Sequence, residues 1–288
     1  MEPCPCASHD SLAIVEKADI LHDQLADART EKVQWLVRTI VETHSDLLKL
    51  PHFRPGNAIN KLLGNLVSVC SEIHDREVVD RVLSHARVQA VLPSLRQICA
   101  QAESCLELHW AEHILSTKGT PDEVLARLKT FPYYENYQDL TRLELCSILS
   151  ATKTTPRHVA FIGSGPLPLT SLCLLQALKQ DALAGRGMEF ICAEATAADK
   201  DLAEFDVVYL AALVGITQAE KERIVLQVVD RMRPGALLVV RSSWGLRTCL
   251  YPEVDLATEG LLKRLECCVV VHPYGQVVNS VIVARVRG

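Results

Sequence analysis

Three groups of residues in this chain have types and spacings that suit chemistry. Glu103 and Glu107 are four apart, with His109 close behind, so on a helix the two carboxylates share one face. Such a pair can hold or move a proton, or it can be no more than a solvated acidic face. Phe131-Pro-Tyr-Tyr-Glu-Asn-Tyr137 holds three of the six tyrosines of the chain. Tyrosines gathered in a loop between two halves of a protein wall a pocket and offer it hydroxyls, or else pack as a hinge. The third group is the glycine pair in Val159-Ala-Phe-Ile-Gly-Ser-Gly-Pro-Leu-Pro-Leu-Thr170. Gly163 and Gly165 allow a tight turn whose N–H groups approach a ligand, and Pro166 and Pro168 suit the first turn of a helix. Pro168 stands where the dinucleotide fingerprint has its third glycine, and no Lys-Ser/Thr follows, so neither that motif nor a phosphate loop is complete.

The elements that must position these residues fall into two halves. From Asp10 to about Leu149 apolar residues recur with a helical period and glycine is scarce. The spacing predicts helices over Ser11–Ala28, Thr30–Leu48, Asn57–Ile73, Arg76–Ser84 and Leu92–Ser116, the last with Pro93 in its first turn. Thr120-Pro-Asp-Glu123 reads as an N-cap with proline at N1, opening Asp122–Leu128. An amphipathic helix containing Arg142 and Glu144 follows the tyrosine loop. After Pro156 the pattern predicts strands at His158–Ile162, Met188–Ala193, Asp206–Ala211, Ala236–Arg241, Cys267–Val271 and Val277–Ala284. Helices are expected over Leu167–Lys179 and Gln218–Met232, and the last two strands form an antiparallel hairpin through Pro273-Tyr-Gly275. The division expected is a helical N-terminal domain, 1–155, and a Rossmann-like domain, 156–288. The fold class is α/β: a Rossmann-like, mostly parallel sheet with a reversed last strand, of the kind found in S-adenosylmethionine-dependent transferases, behind an all-α N-terminal domain.

Ligands of such sheets bind at the carboxyl ends of the strands. That rule gathers Gly163–Gly165, Glu194, Ala211–Gly215 and Arg241–Gly245 around one crevice. S-adenosylmethionine is the natural candidate: turn N–H groups for its methionyl end, an acid for the ribose hydroxyls, apolar residues for adenine. Of the acids after the first helix of this half, Asp181, Glu189 and Glu194, the last is best placed, at a strand end.

Composition narrows the partners. The chain has 288 residues, 49% hydrophobic, with a net charge of −5 and no Lys/Arg run. That argues against nucleic acid or an anionic membrane surface; the crevice is what calls for a small-molecule substrate. No apolar run approaches the roughly 20 residues that span a bilayer, and Met1-Glu-Pro-Cys-Pro-Cys6 has no signal-peptide pattern, so a cytoplasmic location is expected. The 11 cysteines include no C-x-x-C, and the ten histidines no H-E-x-x-H, so no metal site is expected.

Five stretches together resemble the nicotianamine synthases, in a fungal-type form. They are Phe131-Pro-Tyr-Tyr-Glu-Asn-Tyr137 with Arg142 and Glu144; Phe161-Ile-Gly-Ser-Gly-Pro-Leu-Pro-Leu-Thr-Ser171; Phe205-Asp-Val-Val-Tyr-Leu-Ala-Ala-Leu-Val-Gly215; Pro234-Gly-Ala-Leu-Leu-Val-Val-Arg-Ser242 with Gly245, Arg247 and Leu250-Tyr-Pro252; and His272-Pro273 with Val278-Asn-Ser-Val-Ile282. The resemblance implies an aminocarboxypropyltransferase that condenses three S-adenosylmethionine molecules, releases methylthioadenosine each time and closes one unit to an azetidine. The product chelates metals, but no metal is required to make it. The sulfonium must then present the methylene of its amino-acid arm, rather than its methyl, to another molecule's amine. On this reading Glu107, or Glu103, is the candidate base, and Tyr133 and Tyr134 orient the amine. Gly163, Ser164, Gly165, Pro166, Glu194, Ala211, Leu213 and Val214 are the candidates that hold S-adenosylmethionine.

The chain also departs from the family pattern. Family members carry a further strand after the glycine-loop helix, ending in the acid that binds ribose, and then a helix. Here Leu178-Lys-Gln180 runs straight into Asp181-Ala-Leu-Ala-Gly-Arg-Gly187. Either Met188–Ala193 fills the vacancy and Glu194 becomes the ribose acid, or the nucleotide half is damaged, with buried backbone groups each costing about 1–3 kcal/mol if unpaired. Weakened cofactor binding is expected in both cases. The alternatives are a catalytically impaired shortened form, a small-molecule methyltransferase, and a degenerate S-adenosylmethionine-fold protein acting through protein contacts.

Overall fold

The computed structural model describes residues 9–179, 188–192 and 200–288. The N-terminal half is helical, with α1 His9–Leu48, α2 Asn57–Ser71, α3 Arg76–Leu83, α4 Ala86–Leu115, α5 Pro121–Leu128 and α6 Tyr134–Ala151. Two predicted helices merge into α1. Thr30, read as the start of the second, instead turns its hydroxyl back to the carbonyl of Ala26 at 2.9 Å, a bond that a helix interior accommodates. α4 starts at Ala86, earlier than Leu92, because His85 Nδ1 accepts the N–H of Arg87 and begins the helix there. Pro93 therefore lies inside α4. α5 begins as the sequence predicts, Thr120 and Glu123 satisfying each other's backbone N–H groups in a capping box.

The tyrosine segment is not a loop. α6 begins within it, and helical spacing buries Tyr134, Thr141, Glu144 and Ile148 while Tyr133 stays 43% exposed.

The C-terminal half is a five-stranded sheet: β1 Val159–Ile162, β2 Val207–Leu210, β3 Leu237–Ser242, β4 Leu265–Val271 and β5 Ser280–Val286, in the order β1-β2-β3-β5-β4. The first three are parallel, and β5 runs antiparallel to β3 and β4 on either side. Central strands buried on both faces need continuous apolar runs, and Val207-Val-Tyr-Leu210 and Leu237-Leu-Val-Val240 supply them. Helices α7 (Leu169–Lys179) and α8 (Gln218–Val229) follow β1 and β2, and α9 (Glu259–Arg264) leads into β4.

The strand predicted at Met188–Ala193 does not form. Residues 188–192 have no regular structure, Phe190 and Ile191 are exposed, and β1 pairs only with β2 among the described residues. A short run built on Phe190 and Ile191 carries no information about whether a sheet edge lies within its reach. Ala193 and Glu194 lie outside the described residues.

The two halves interlock. The 3-10 turn Gly245–Cys249, which follows β3, and Leu250 just after it put Leu246, Cys249 and Leu250 into the same core as Leu36, Ile40, Leu66 and Leu95 of the helices. Arg247, 1% exposed, donates from Nη2 to the carbonyls of Ser71 and Gly275, and Arg96 Nε donates to the Thr248 carbonyl at 2.7 Å. Among the described residues no helix is long and apolar enough to cross a membrane.

Candidate active site

Parallel pairing in register, Ile162 beside Leu210, brings the carboxyl ends of β1 and β2 level. A cavity of about 210 Å³ opens there, between the strand ends and α4. The glycine turn after β1 forms one wall. Gly163 and Gly165 take φ of +85° and +68°, and both are in close contact. A Cβ on Gly163 would stand 2.2 Å from Val214 Cγ2, and one on Gly165 2.1 Å from Glu107 Oε2. Only glycine satisfies the torsion and the space together. The helical half therefore touches the nucleotide-type turn through the Glu107 carboxyl.

That carboxyl accepts the N–H of Leu167 and, on Oε1, the hydroxyl of Tyr137 at 3.2 Å. Burial first, and then the neighbouring charge of Glu103, push it up to about 8, against the pull of those two bonds. Glu103, one turn earlier on α4, accepts the hydroxyl of Tyr251 at 2.7 Å, and burial raises its carboxyl too. Burial lifts both phenols well above the ordinary range, so at neutral pH they stay protonated donors. Tyr251 is steadied by Ser243, whose hydroxyl donates to the Tyr251 carbonyl at 2.6 Å.

At the end of β3, Arg241 lies against this group, 6% exposed. Its Nε and Nη2 donate to the two oxygens of Glu144 at 2.7 and 3.2 Å, and Nη2 also donates to Thr170 Oγ1 at 2.7 Å. The guanidinium stands 5.2 Å from the ring centre of Phe161. Burial opposes its charge, but Glu144 beside it more than restores it. A permanent cation is thus built into the pocket wall. Behind the Ala211–Gly215 loop, Lys221 is 1% exposed and donates from Nζ to the carbonyls of Ala211 and Ala212, both at 3.0 Å. Burial lowers its ammonium to about 8.

Of the expected ligand-binding residues, Gly163, Ser164, Gly165, Ala211, Leu213 and Val214 all line the cavity. Pro166 lies in the same turn but not on the lining, and Glu194 falls outside the described residues. Glu103 and Glu107 both face the cavity, which overturns the solvated-face reading, while His109 points to solvent. Tyr133 and Tyr134 are not brought to it. Tyr133 is at the surface, and Tyr134 packs under α7, its hydroxyl on Gln176 at 3.3 Å. Tyr137 takes the expected place because α6 starts at Tyr134 and aims residue 137 at α4. Helical parity was the signal that could have singled it out. Tyr251 stood in the sequence only within the Leu250-Tyr-Pro252 stretch of the resemblance, and a long-range contact with Glu103 places it.

A larger cleft, about 980 Å³, lies at the opposite ends of the strands. Its carboxylate, Asp206, is already engaged by the N–H groups of Arg157 and His158 and by Arg233, and strand amino ends are not where such sheets bind ligands. The described cysteines are free thiols: Cys70, Cys99, Cys173 and Cys249 are buried, Cys146, Cys192 and Cys267 exposed. Among the described residues no three His, Cys, Asp or Glu side chains are placed to hold a metal ion.

The nicotianamine synthase protein family model matches residues 29–183 and 176–288, two stretches that meet at 176–183. Nicotianamine synthase 2 of Arabidopsis thaliana is 33% identical over 285 residues, covering 88% of this chain and 84% of that protein. The nicotianamine synthase of Solanum lycopersicum is 34% identical over 273 residues, covering 87% and 83%. The solved structure of MtNAS in complex with MTA and tNA shares the fold, with a TM-score of 0.66 over 88% of this chain and 98% of that one, at 19% identity.

Proposed function

The chain belongs to the nicotianamine synthase family, and from that premise we propose that its cavity joins S-adenosylmethionine molecules by aminocarboxypropyl transfer, with Glu107 as the base. The observation that carries the assignment is the contact of the Glu107 carboxyl with the Gly165 turn. A bound sulfonium lies with its amino-acid arm along that turn. The amine of an acceptor attacks the methylene next to sulfur: the new N–C bond forms as the C–S pair departs onto sulfur, giving methylthioadenosine. The proton shed by nitrogen goes to Glu107.

The value of about 8 at Glu107 suits this task. An α-amine ordinarily titrates near 7.7–8.0, so the neutral amine with neutral carboxyl is close in energy to the ammonium–carboxylate pair. With an ordinary carboxylate at 4.5 the reactive form would be roughly a thousandfold rarer. Tyr137 and Tyr251 hold the two carboxyls in place. Ser164, Ala211, Leu213 and Val214 are the contacts for the nucleoside and arm.

The test is mass spectrometry after incubating the purified protein with S-adenosylmethionine. Nicotianamine with methylthioadenosine is the expected result; S-adenosylhomocysteine would mean methyl transfer instead. A second reading, an impaired shortened form, is favoured by the junction at 176–183 and by the single neighbour of β1 among the described residues. Titration of S-adenosylmethionine against a relative without the junction separates the two: tenfold weaker binding supports impairment, and equal affinity refutes it.

A further inference from the structure

Two donors lining the cavity have no partner among the described residues. Arg241 spends Nε and Nη2 on Glu144 and Thr170, and among the described residues Nη1 makes no hydrogen bond. Asn279 Nδ2 is buried and likewise without a partner. Both residues line the cavity together with Glu103 and Glu107. Sheet register explains why they meet. Arg241 stands opposite Val281 across the β3–β5 ladder, and Asn279 lies just ahead of β5, two residues before Val281, where the chain enters the strand beside the end of β3. A buried donor left unpaired is costly, and a cation beside it selects an anion for the missing partner. The same lining holds the complement, a proton-accepting carboxyl at Glu107. A cation and an amide N–H sharing a small cavity with a base fit the two groups on one α-carbon.

We propose that Arg241 Nη1 and Asn279 Nδ2 form the α-carboxylate subsite of the acceptor, fixing that carboxylate so that the amine on the same carbon faces Glu107. The proposal rests on the aminocarboxypropyl-transfer reading and assigns it a specificity determinant. Acceptors that are α-amino acids bind; amines without the carboxylate do not.

The test uses the whole protein and two probes, nicotianamine, which carries α-carboxylates and no nucleoside, and methylthioadenosine, which carries a nucleoside and no carboxylate. In Asn279→Asp the new carboxylate sits where the ligand's would and takes Nη1 for itself. Calorimetric titration should show nicotianamine weakened by about 10- to 100-fold, the range for a hydrogen bond to a charged group, with methylthioadenosine within about twofold. Asn279→Ala should weaken nicotianamine less, again sparing methylthioadenosine. Unchanged nicotianamine binding, equal weakening of both probes, or a folded wild-type protein that does not bind nicotianamine overturns the proposal. Turnover is measured separately. Wild-type turnover with unaltered variants sinks the subsite alone, whereas absent turnover with selective loss of nicotianamine binding sinks the activity and leaves the subsite standing.

Discussion

Replacing the proposed base should make the protein more stable at the pH where it works. Glu107→Gln keeps shape and still accepts from Tyr137 and from the Leu167 N–H, the two bonds Glu107 now accepts. What it removes is a titration. In the unfolded chain the carboxyl loses its proton near 4.5, in the folded one near 8. Below 4.5 both states hold the proton and nothing is gained or lost. Between the two values the folded state holds a proton that the unfolded state has released, so each rise in pH favours unfolding, by at most about 1.36 kcal/mol per unit. Above 8 the deficit is constant. The full span corresponds to about 5 kcal/mol, and partial solvent access at the cavity mouth brings the expected effect to about 2–4 kcal/mol. Glutamine has no such proton to lose. Urea unfolding of both proteins at pH 5, 6, 7 and 8 reads the difference as a gap that opens in favour of the variant as pH rises. Any pH-independent cost of the amide cancels in that comparison. Methylthioadenosine release should fall by about 10²–10⁴-fold in the same variant, as loss of a general base requires. A gap that stays constant between pH 5 and 8, or that closes, refutes the reasoning, because Glu107 would then ionise in the folded protein as it does in the unfolded one.

Three further changes test the surrounding groups. Tyr137→Phe removes a bond that holds the Glu107 value down, so the rising limb of kcat against pH should move about one unit alkaline; an unmoved limb would detach Tyr137 from the base. Gly165→Ala puts a Cβ 2.1 Å from Glu107 Oε2 at a φ of +68°, which should cost about 1–2 kcal/mol of backbone strain and displace the carboxyl; thermal melting and product release should both fall. Glu144→Ala strands a buried Arg241 and should cost about 3–5 kcal/mol in urea unfolding, much of it regained in the double variant with Arg241→Met; equal loss in both would show that the ion pair is not what Glu144 supplies.

The sequence made the nucleotide-type turn legible because its signals are local. Gly163, Gly165 and the prolines declare a turn and a helix start within eight residues, and the cavity forms at that turn. The apolar runs of β2 and β3 and the reversed β5 were legible for the same reason. The acid pair on α4 was visible as spacing, but whether it faced water or a ligand depended on what packs across it. Tyr137 was misjudged in favour of Tyr133 and Tyr134 because a loop has no parity and a helix does. Tyr251 and Asn279 reach the cavity through a 3-10 turn and a strand pairing far along the chain, which no window of sequence contains. The run at Met188 reads as a strand by composition, but a strand exists only beside a neighbour, and composition does not say whether one is there.

The touch between Glu107 and Gly165 also sets a rhythm. The space beside it, about 210 Å³, is smaller than the roughly 300–1,000 Å³ of ordinary small-molecule sites. A reaction that loads several bulky molecules in succession cannot proceed through so tight a closure without parting it. For the proposed reaction, admitting each fresh donor then asks the contact between Glu107 and the Gly165 turn to part and re-form, a closure of the kind that runs on the microsecond-to-millisecond scale.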